Sequence, residues 1–119
     1  RGLGDVYKRQ DLPVIITDRD HVISVSGISK KEYLERRISS ELETLMESRT
    51  NYTASADEEP IYPISGMSRE AAVAYPIIGS GDVSGCVVLL LNSDGSLPSE
   101  TERKLVAVAA SFLGKQMEE

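Results

Sequence analysis

Five polar residues of the sequence have side chains that could together hold a small ligand. Four of them surround the junction between an apolar run and a predicted helix, and the fifth ends a later helical stripe: Ser26, Ser29, Lys31, Tyr33 and Arg49. A few hydroxyl and cationic groups fix the orientation of a ligand in an otherwise apolar pocket, and a guanidinium fork suits a carboxylate or a phosphate. We therefore expect these five residues to bind a small anionic ligand.

A second interpretation of the same charges needs no ligand. Lys30 and Lys31 would be solvated surface charges, and Arg49 would form an ion pair with Glu43 or Glu47 on the same predicted helix. The anion site is favoured by the predicted start of a helix at this junction, where free N–H groups and a partial positive charge attract anions. The sequence leaves both interpretations open.

The remaining residues of chemical interest do not form a catalytic set. Cys86 lies in an apolar run and is expected to be a buried core residue, whereas a nucleophilic thiol needs a polar setting. His21 follows Asp18 and Asp20 in a predicted turn, and the adjacent carboxylates at 57–59 are typical of a solvated loop rather than of a general acid. We expect no enzyme activity, no catalytic residue, no metal and no cofactor.

Two predicted hairpins account for most of the strands. The stretch at 12–27 has two β-branched runs around a polar turn, and the stretch at 70–92 has strands at 71–78 and 83–92 around a glycine-rich turn. Gly79, Gly81 and Gly85 partly resemble a dinucleotide-binding fingerprint. We exclude that function because a strand, not a helix, is predicted to follow them.

A further short strand is predicted at the sheet edge. Ile61 and Ile64 are its apolar residues, and the prolines around them are tolerated only at an edge. The run at 86–91 is uninterrupted and apolar, which predicts a central strand that is buried on both faces.

Three helices are predicted from their first residues. Ser29, Ser40 and Ser99 each precede a glutamate three positions later, the pattern of a capping box. The second helix carries a stripe of core residues, Ile38, Leu42, Leu45 and Met46. The last helix has an apolar surface wider than one stripe, so it either covers the sheet and a partner helix or is simply well buried on one side. The elements together predict an α+β domain, an antiparallel sheet flanked by helices with a long C-terminal helix.

Length and composition limit the function further. The 119 residues suffice for one domain, which we assign to 11–119, and residues 1–10 resemble translated adaptor sequence and are expected to be a non-native or disordered tail. A net charge of −6 makes the chain a poor nucleic-acid binder. The single cysteine fits a reducing compartment, so we expect a cytoplasmic protein without membrane contact.

Several motifs resemble a known family. Residues 75–90 have the Pro-apolar strand end, glycine turn and glycine-started central strand of GAF domains. A closer resemblance, over roughly residues 12–119, is to the C-terminal GAF domain of the stage V sporulation protein T family, transcriptional regulators of endospore-forming bacteria. The residues that carry it are Asp18-Arg19-Asp20, Val25-Ser26-Gly27, Ser29-Lys30-Lys31, Tyr33-Leu34, Ile38-Ser39, Phe112-Leu113 and Gln116-Met117-Glu118.

The resemblance implies a regulatory function. Members of that family have an N-terminal swapped-hairpin DNA-binding domain of the transition-state-regulator type, form oligomers, and use the GAF half as a sensor. That DNA-binding domain is absent from this sequence, so we expect the fragment itself not to bind DNA. We expect a small-molecule-sensing GAF domain of a sporulation transcription regulator that forms a homo-oligomer through its C-terminal helix.

The alternative is a ligand-free dimerisation module whose pocket has closed. In that case bulky side chains, namely Tyr52, Met46 or Met67, would fill the space between the sheet and the helices.

Overall fold

Five antiparallel strands form the centre of the fold in the computed structural model, which describes residues 12–117. The strands are β1 (Val14–Thr17), β2 (Val22–Ser26), β3 (Tyr52–Thr53), β4 (Ala71–Gly79) and β5 (Asp82–Leu90). Their order across the sheet is β2-β1-β5-β4-β3. The helices are α1 (Lys30–Tyr33), α2 (Ser40–Ser48) and α3 (Glu100–Gln116). The predicted α+β fold with a long C-terminal helix is confirmed, while the predicted tail at 1–10 lies outside the described residues.

The first hairpin places β2 at the edge of the sheet and β1 beside the central strand. In its turn, Oδ1 of Asp18 accepts hydrogen bonds from the backbone N–H groups of Asp20 and His21, both at 2.7 Å. The strand register shifts between Ile16 and Thr17, which marks a bulge next to the turn. The predicted hairpin at 12–27 is therefore confirmed, and its turn is held by an aspartate side chain.

The second hairpin supplies the centre of the sheet. Strand β5 pairs with β1 on one side and with β4 on the other. Its residues from Cys86 to Leu90 are all buried, as predicted for a strand covered on both faces. The β4–β5 turn passes through Ser80 and Gly81, both with positive φ, which is the geometry of a two-residue hairpin turn. A strand follows the glycines, so the context of a dinucleotide site is absent here.

Helices cover the two faces of the sheet and make two separate cores. On one face, Tyr33 of α1 and Leu42 and Met46 of α2 pack with Ile15 and Val25. On the other face, α3 packs on β4 and β5, where the buried residues are Ala72, Val73, Ile77, Val87, Leu89, Val106 and Ala110. Among residues 12–117, no helix combines the length and the apolar character needed to cross a bilayer.

Two local predictions are wrong. The N-cap of α2 is Ser39 and not Ser40, because the Ser39 hydroxyl accepts from the N–H of Leu42 and its own N–H donates to the Pro63 carbonyl. The edge strand is β3 rather than the segment around Ile61 and Ile64. Ile64 forms only an isolated bridge.

Helix α3 begins as predicted and approaches the sheet very closely near its end. Ser99 and Glu102 form a reciprocal capping box, with hydrogen bonds of 3.1 and 2.9 Å. A Cβ atom placed on Gly114 would lie 2.3 Å from the carbonyl oxygen of Ile78, and one on Gly79 would lie 2.4 Å from that of Gly114. The backbones of α3 and β4 therefore touch directly, which fixes the face that α3 turns outward.

Gly85 makes the corresponding contact between the two hairpins. A Cβ atom at this position would lie 1.9 Å from the carbonyl oxygen of Thr17. The end of β1 rests on the backbone of β5 at this point, which brings the turn of the first hairpin beside the start of β5.

We expect Gly85→Ala to lower the free energy of unfolding by about 3 kcal/mol, because the obstructing atom belongs to the backbone and cannot rotate away. Urea unfolding followed by circular dichroism measures the change. The control is Ser84→Ala in the same strand, which loses only a long hydrogen bond of 3.4 Å to the Ile77 carbonyl and is expected to cost less than about 1 kcal/mol. Equal stability of Gly85→Ala and the unsubstituted chain would contradict the close approach.

Candidate functional site

The five predicted ligand-binding residues lie in three different surroundings. Ser26 is exposed on β2 opposite Val14, and Val14 packs against the α3 core. Tyr33 belongs to the core on the other face. Because cross-strand partners point to the same face of a sheet, Ser26 and Tyr33 lie on opposite sides of it. The structure therefore does not bring Ser26 to the face that α1 covers.

The three residues of the α1 segment have mainly structural contacts. Ser29 caps the helix, with its hydroxyl 3.4 Å from the N–H of Glu32, and Lys31 is exposed. The hydroxyl of Tyr33 accepts a hydrogen bond of 3.3 Å from Arg69. Arg69 also donates to the carbonyl of Leu91 at 3.1 Å, so Tyr33 is tied to the end of the second hairpin.

Arg49 lies apart from the other four, at the end of α2. It is the C-cap residue, in the left-handed conformation with φ 57° and ψ 36°. Its exposed side chain lines a cleft of about 350 Å³, whereas Ser26, Ser29, Lys31 and Tyr33 line none of the four clefts described within residues 12–117.

We call this cleft the mixed-charge cleft, and three separate segments form it. Its charged residues are Arg19 and Asp20 of the first turn, Glu43, Glu47 and Arg49 of the α2 segment, and Asp82 at the start of β5. The buried residues Met46 and Val83 complete its wall. Sequence reasoning found Arg49 and missed the other charged residues, because their segments are far apart along the chain.

Two local structures hold the three segments together. The side chain of Asp18 fixes the turn that carries Arg19 and Asp20. Hydrogen bonds from the backbone of His21 and of Asp20 to this carboxylate lower its pKa, so the turn keeps its charged acceptor at neutral pH. The contact of Gly85 with Thr17 then sets this turn next to the start of β5.

The charged side chains of the cleft form no ion pairs with one another. Among residues 12–117, the one ion pair joins Arg103 to Glu100 at 2.8 Å. The predicted pairing of Arg49 with Glu43 or Glu47 is therefore not present. Two guanidinium groups and four carboxylates face the same space without ion pairs between them. Such an arrangement can bind charged groups of a ligand, and it contains no nucleophile.

Several residues at the C-terminal end of α2 are unfavourable for a helix. Arg49 has a conformation that costs a residue with a Cβ roughly 1–2 kcal/mol. Glu43 and Glu47 are four residues apart, a like-charge spacing that destabilises a helix by roughly 0.2–0.5 kcal/mol. Glu47 also lies in the last turn, where a negative charge opposes the helix dipole. Unfavourable local choices that concentrate at one place are typical of functional sites.

The first turn also brings three potential metal ligands together. Ligand atoms of Asp18, Asp20 and His21 lie within 4.8 Å of one another, and Asp20 and His21 are exposed. Oδ1 of Asp18 is already used by two backbone N–H groups. These contacts account for the cluster as part of the turn.

Comparison with known proteins shows the family to which the chain is similar. The family described as "Stage V sporulation protein T C-terminal, transcription factor" matches residues 5–118. "Stage V sporulation protein T" of Bacillus subtilis (strain 168) is 39% identical over 108 residues, which are 89% of this chain and 59% of that protein. The chain therefore spans about three fifths of the length of the curated relative that it matches. The family is one of transcription factors and not an enzyme family.

Cys86 is placed as the sequence predicts. It is fully buried in β5, and burial raises the pKa of its thiol to about 12. The thiolate is the reactive form of cysteine, so this thiol is unreactive at neutral pH.

We expect thiol-specific reagents to label Cys86 at least about 100-fold more slowly in the folded chain than in the urea-unfolded chain, because labelling requires opening of the central strand. Mass spectrometry of timed samples at pH 8 measures the rates. In a Ser24→Cys variant, the new exposed thiol is the control and should react at the unfolded rate. Equally fast labelling of both thiols would show that β5 is not the protected centre of the sheet.

Proposed function

Because the chain belongs to the stage V sporulation protein T C-terminal family, we propose that residues 11–119 form the GAF-type sensory domain of a cytoplasmic sporulation transcription factor. In this proposal the domain forms a homo-oligomer through α3 and binds a small molecule with an anionic group. The fold supports the GAF assignment, since an antiparallel sheet has short helices on one face and a long C-terminal helix on the other.

The outer face of α3 is the observation that carries this proposal. Leu105, Val108 and Phe112 are 53%, 65% and 60% exposed. Their spacing of three and four residues places them along one side of the helix, as in the seam of a coiled coil. The opposite side, with Val106, Ala110 and Gly114, is buried on the sheet.

A second copy of the chain is the occupant that we propose for this apolar stripe. Two identical stripes can pack on each other around a twofold axis, the commonest symmetry of soluble oligomers. Gly79 and Gly114 fix the rotation of α3 on the sheet, so every copy presents the same face. The stripe thus provides a self-complementary surface without any rearrangement.

Contacts with DNA are assigned to another part of the protein. The net charge of −6 disfavours binding of this chain to the phosphate backbone. The relative from Bacillus subtilis is longer, and its remaining two fifths are not matched by this chain. In our proposal this domain regulates a DNA-binding domain that lies in such a region.

A ligand-free dimerisation module is the second candidate, and the interior of the domain favours it. Tyr52 and Met46 are buried in the core between the sheet and the short helices, and Met67 packs against that core. Burial raises the pKa of Tyr52, and its hydroxyl is 3.5 Å from the carbonyl of Glu59. The space beneath α1 and α2 is thus occupied, which leaves the mixed-charge cleft as our proposed ligand site.

We expect Val108→Glu to weaken self-association at least about 30-fold, the effect of losing about 2 kcal/mol at an interface centre. Sedimentation equilibrium gives the dissociation constants of the two proteins. Leu97→Glu is the matched control, because Leu97 is also 52% exposed but lies before α3. A monomeric unsubstituted chain, or equal weakening by both substitutions, would contradict an interface on the outer face of α3.

We expect at least one small carboxylate or phosphate compound to raise the melting temperature of the chain, with Arg49→Ala removing the rise. A ligand at 100 times its dissociation constant adds about 2.7 kcal/mol of stability. Differential scanning fluorimetry over a panel of small acids and nucleotides measures the shift. Arg37→Ala is the control, since Arg37 is exposed outside the cleft. A rise that survives Arg49→Ala would assign the ligand to another site.

A further inference from the structure

We infer that the ligand of the mixed-charge cleft is a small zwitterion, a molecule that carries both an anionic group and an ammonium group. The inference rests on the proposed sensory function and specifies the chemistry of its site. Arg19 and Arg49 would hold the anionic group, and carboxylates of the cleft, chiefly Glu43 and Glu47, would hold the ammonium group.

The charge balance of the cleft disfavours ligands with only one kind of charge. Four carboxylates and two guanidinium groups line it, so a purely anionic molecule would enter a space with an excess of negative charge. A purely cationic molecule would leave both arginines without partners. A ligand with both kinds of charge satisfies both sets of side chains, and ionised partners form the stronger hydrogen bonds.

The missing ion pairs make these side chains available. No pair joins Arg19 or Arg49 to a carboxylate within the described residues, although both signs of charge surround one cleft. A zwitterion would therefore displace water from the charged groups and would not have to break existing pairs. Its binding could form several charge-assisted contacts at once.

The residues at the end of α2 also favour a ligand that carries both kinds of charge. The repulsion between Glu43 and Glu47 is relieved if an ammonium group lies between them. The left-handed conformation of Arg49 is one that glycine adopts without strain. An anionic group held by the guanidinium would account for an arginine at this position. Binding of a zwitterion would thus relieve the repulsion between the two glutamates, and the contacts of the guanidinium would offset the backbone cost at Arg49.

The size and the wall of the cleft fit a small ligand such as an amino acid. Its volume of about 350 Å³ is at the low end of small-molecule pockets. Met46 and Val83 supply the apolar part of the wall, where a short side chain of the ligand would make contact.

Matched probes test the inference. The common amino acids are titrated against the full chain by scanning fluorimetry and calorimetry, beside the carboxylic acids that lack the amine and the amines that lack the carboxylate. We expect at least one amino acid to bind at least about 10-fold more tightly than either of its halves. If an acid binds as tightly as its amino acid, the zwitterion inference is wrong while the proposed sensory function stands. The inference is also wrong if no amino acid binds. The proposed function is tested separately by the wider panel of acids and nucleotides.

Two variants test which side chains hold the anionic group of the ligand and which hold its ammonium group. Arg49→Gly should raise the melting temperature of the unliganded chain and abolish the shift caused by the amino acid. The double substitution Glu43→Gln and Glu47→Gln should reduce the advantage of the amino acid over its acid to less than about twofold, and Glu58→Gln outside the cleft should leave it unchanged. The assignment is wrong if Arg49→Gly keeps the full shift in melting temperature. It is also wrong if the double variant still binds the amino acid with its full advantage over the acid.

Discussion

Burial of the central strand β5 is the constraint on which the rest of the structure depends. Its apolar side chains fill the core beneath the short helices on one face and the core beneath α3 on the other. Both of its edges are hydrogen-bonded, to β1 and to β4. Each helical layer is therefore anchored to the same strand, and an error in the register of β5 would disturb both layers at once.

Close backbone contacts at glycines extend this arrangement to the mixed-charge cleft and to the proposed interface. Gly85 lets the end of β1 rest on β5, which brings the first turn to the mixed-charge cleft. Gly79 and Gly114 let α3 touch β4, which turns the apolar stripe outward. The site and the proposed interface are thus positioned by the places where the sequence has no Cβ atom.

Local sequence patterns predicted the secondary-structure elements well. They could not predict which residues from distant parts of the chain lie together. The hairpins, the buried run after Cys86 and the capping box at Ser99 depend on residues close in sequence, and all are confirmed. The choice between Ser39 and Ser40 as a cap was decided by the distant carbonyl of Pro63. Ser26 and Tyr33 are close in sequence, yet a sheet separates them. Arg19, Arg49 and Asp82 are far apart in sequence, yet they share one cleft.

The exposed position of β2 has a consequence for solubility. An edge strand presents unpaired backbone groups that can template pairing with another chain, the first step of aggregation. Here the strand has only five residues, a bulge lies beside its turn, and the backbone N–H and carbonyl of Val22 are already bonded to Arg36 and Glu35. A short, bulged and partly paired edge is a poor template for cross-β stacking, so the segment after α1 helps to protect the sheet against edge-to-edge aggregation.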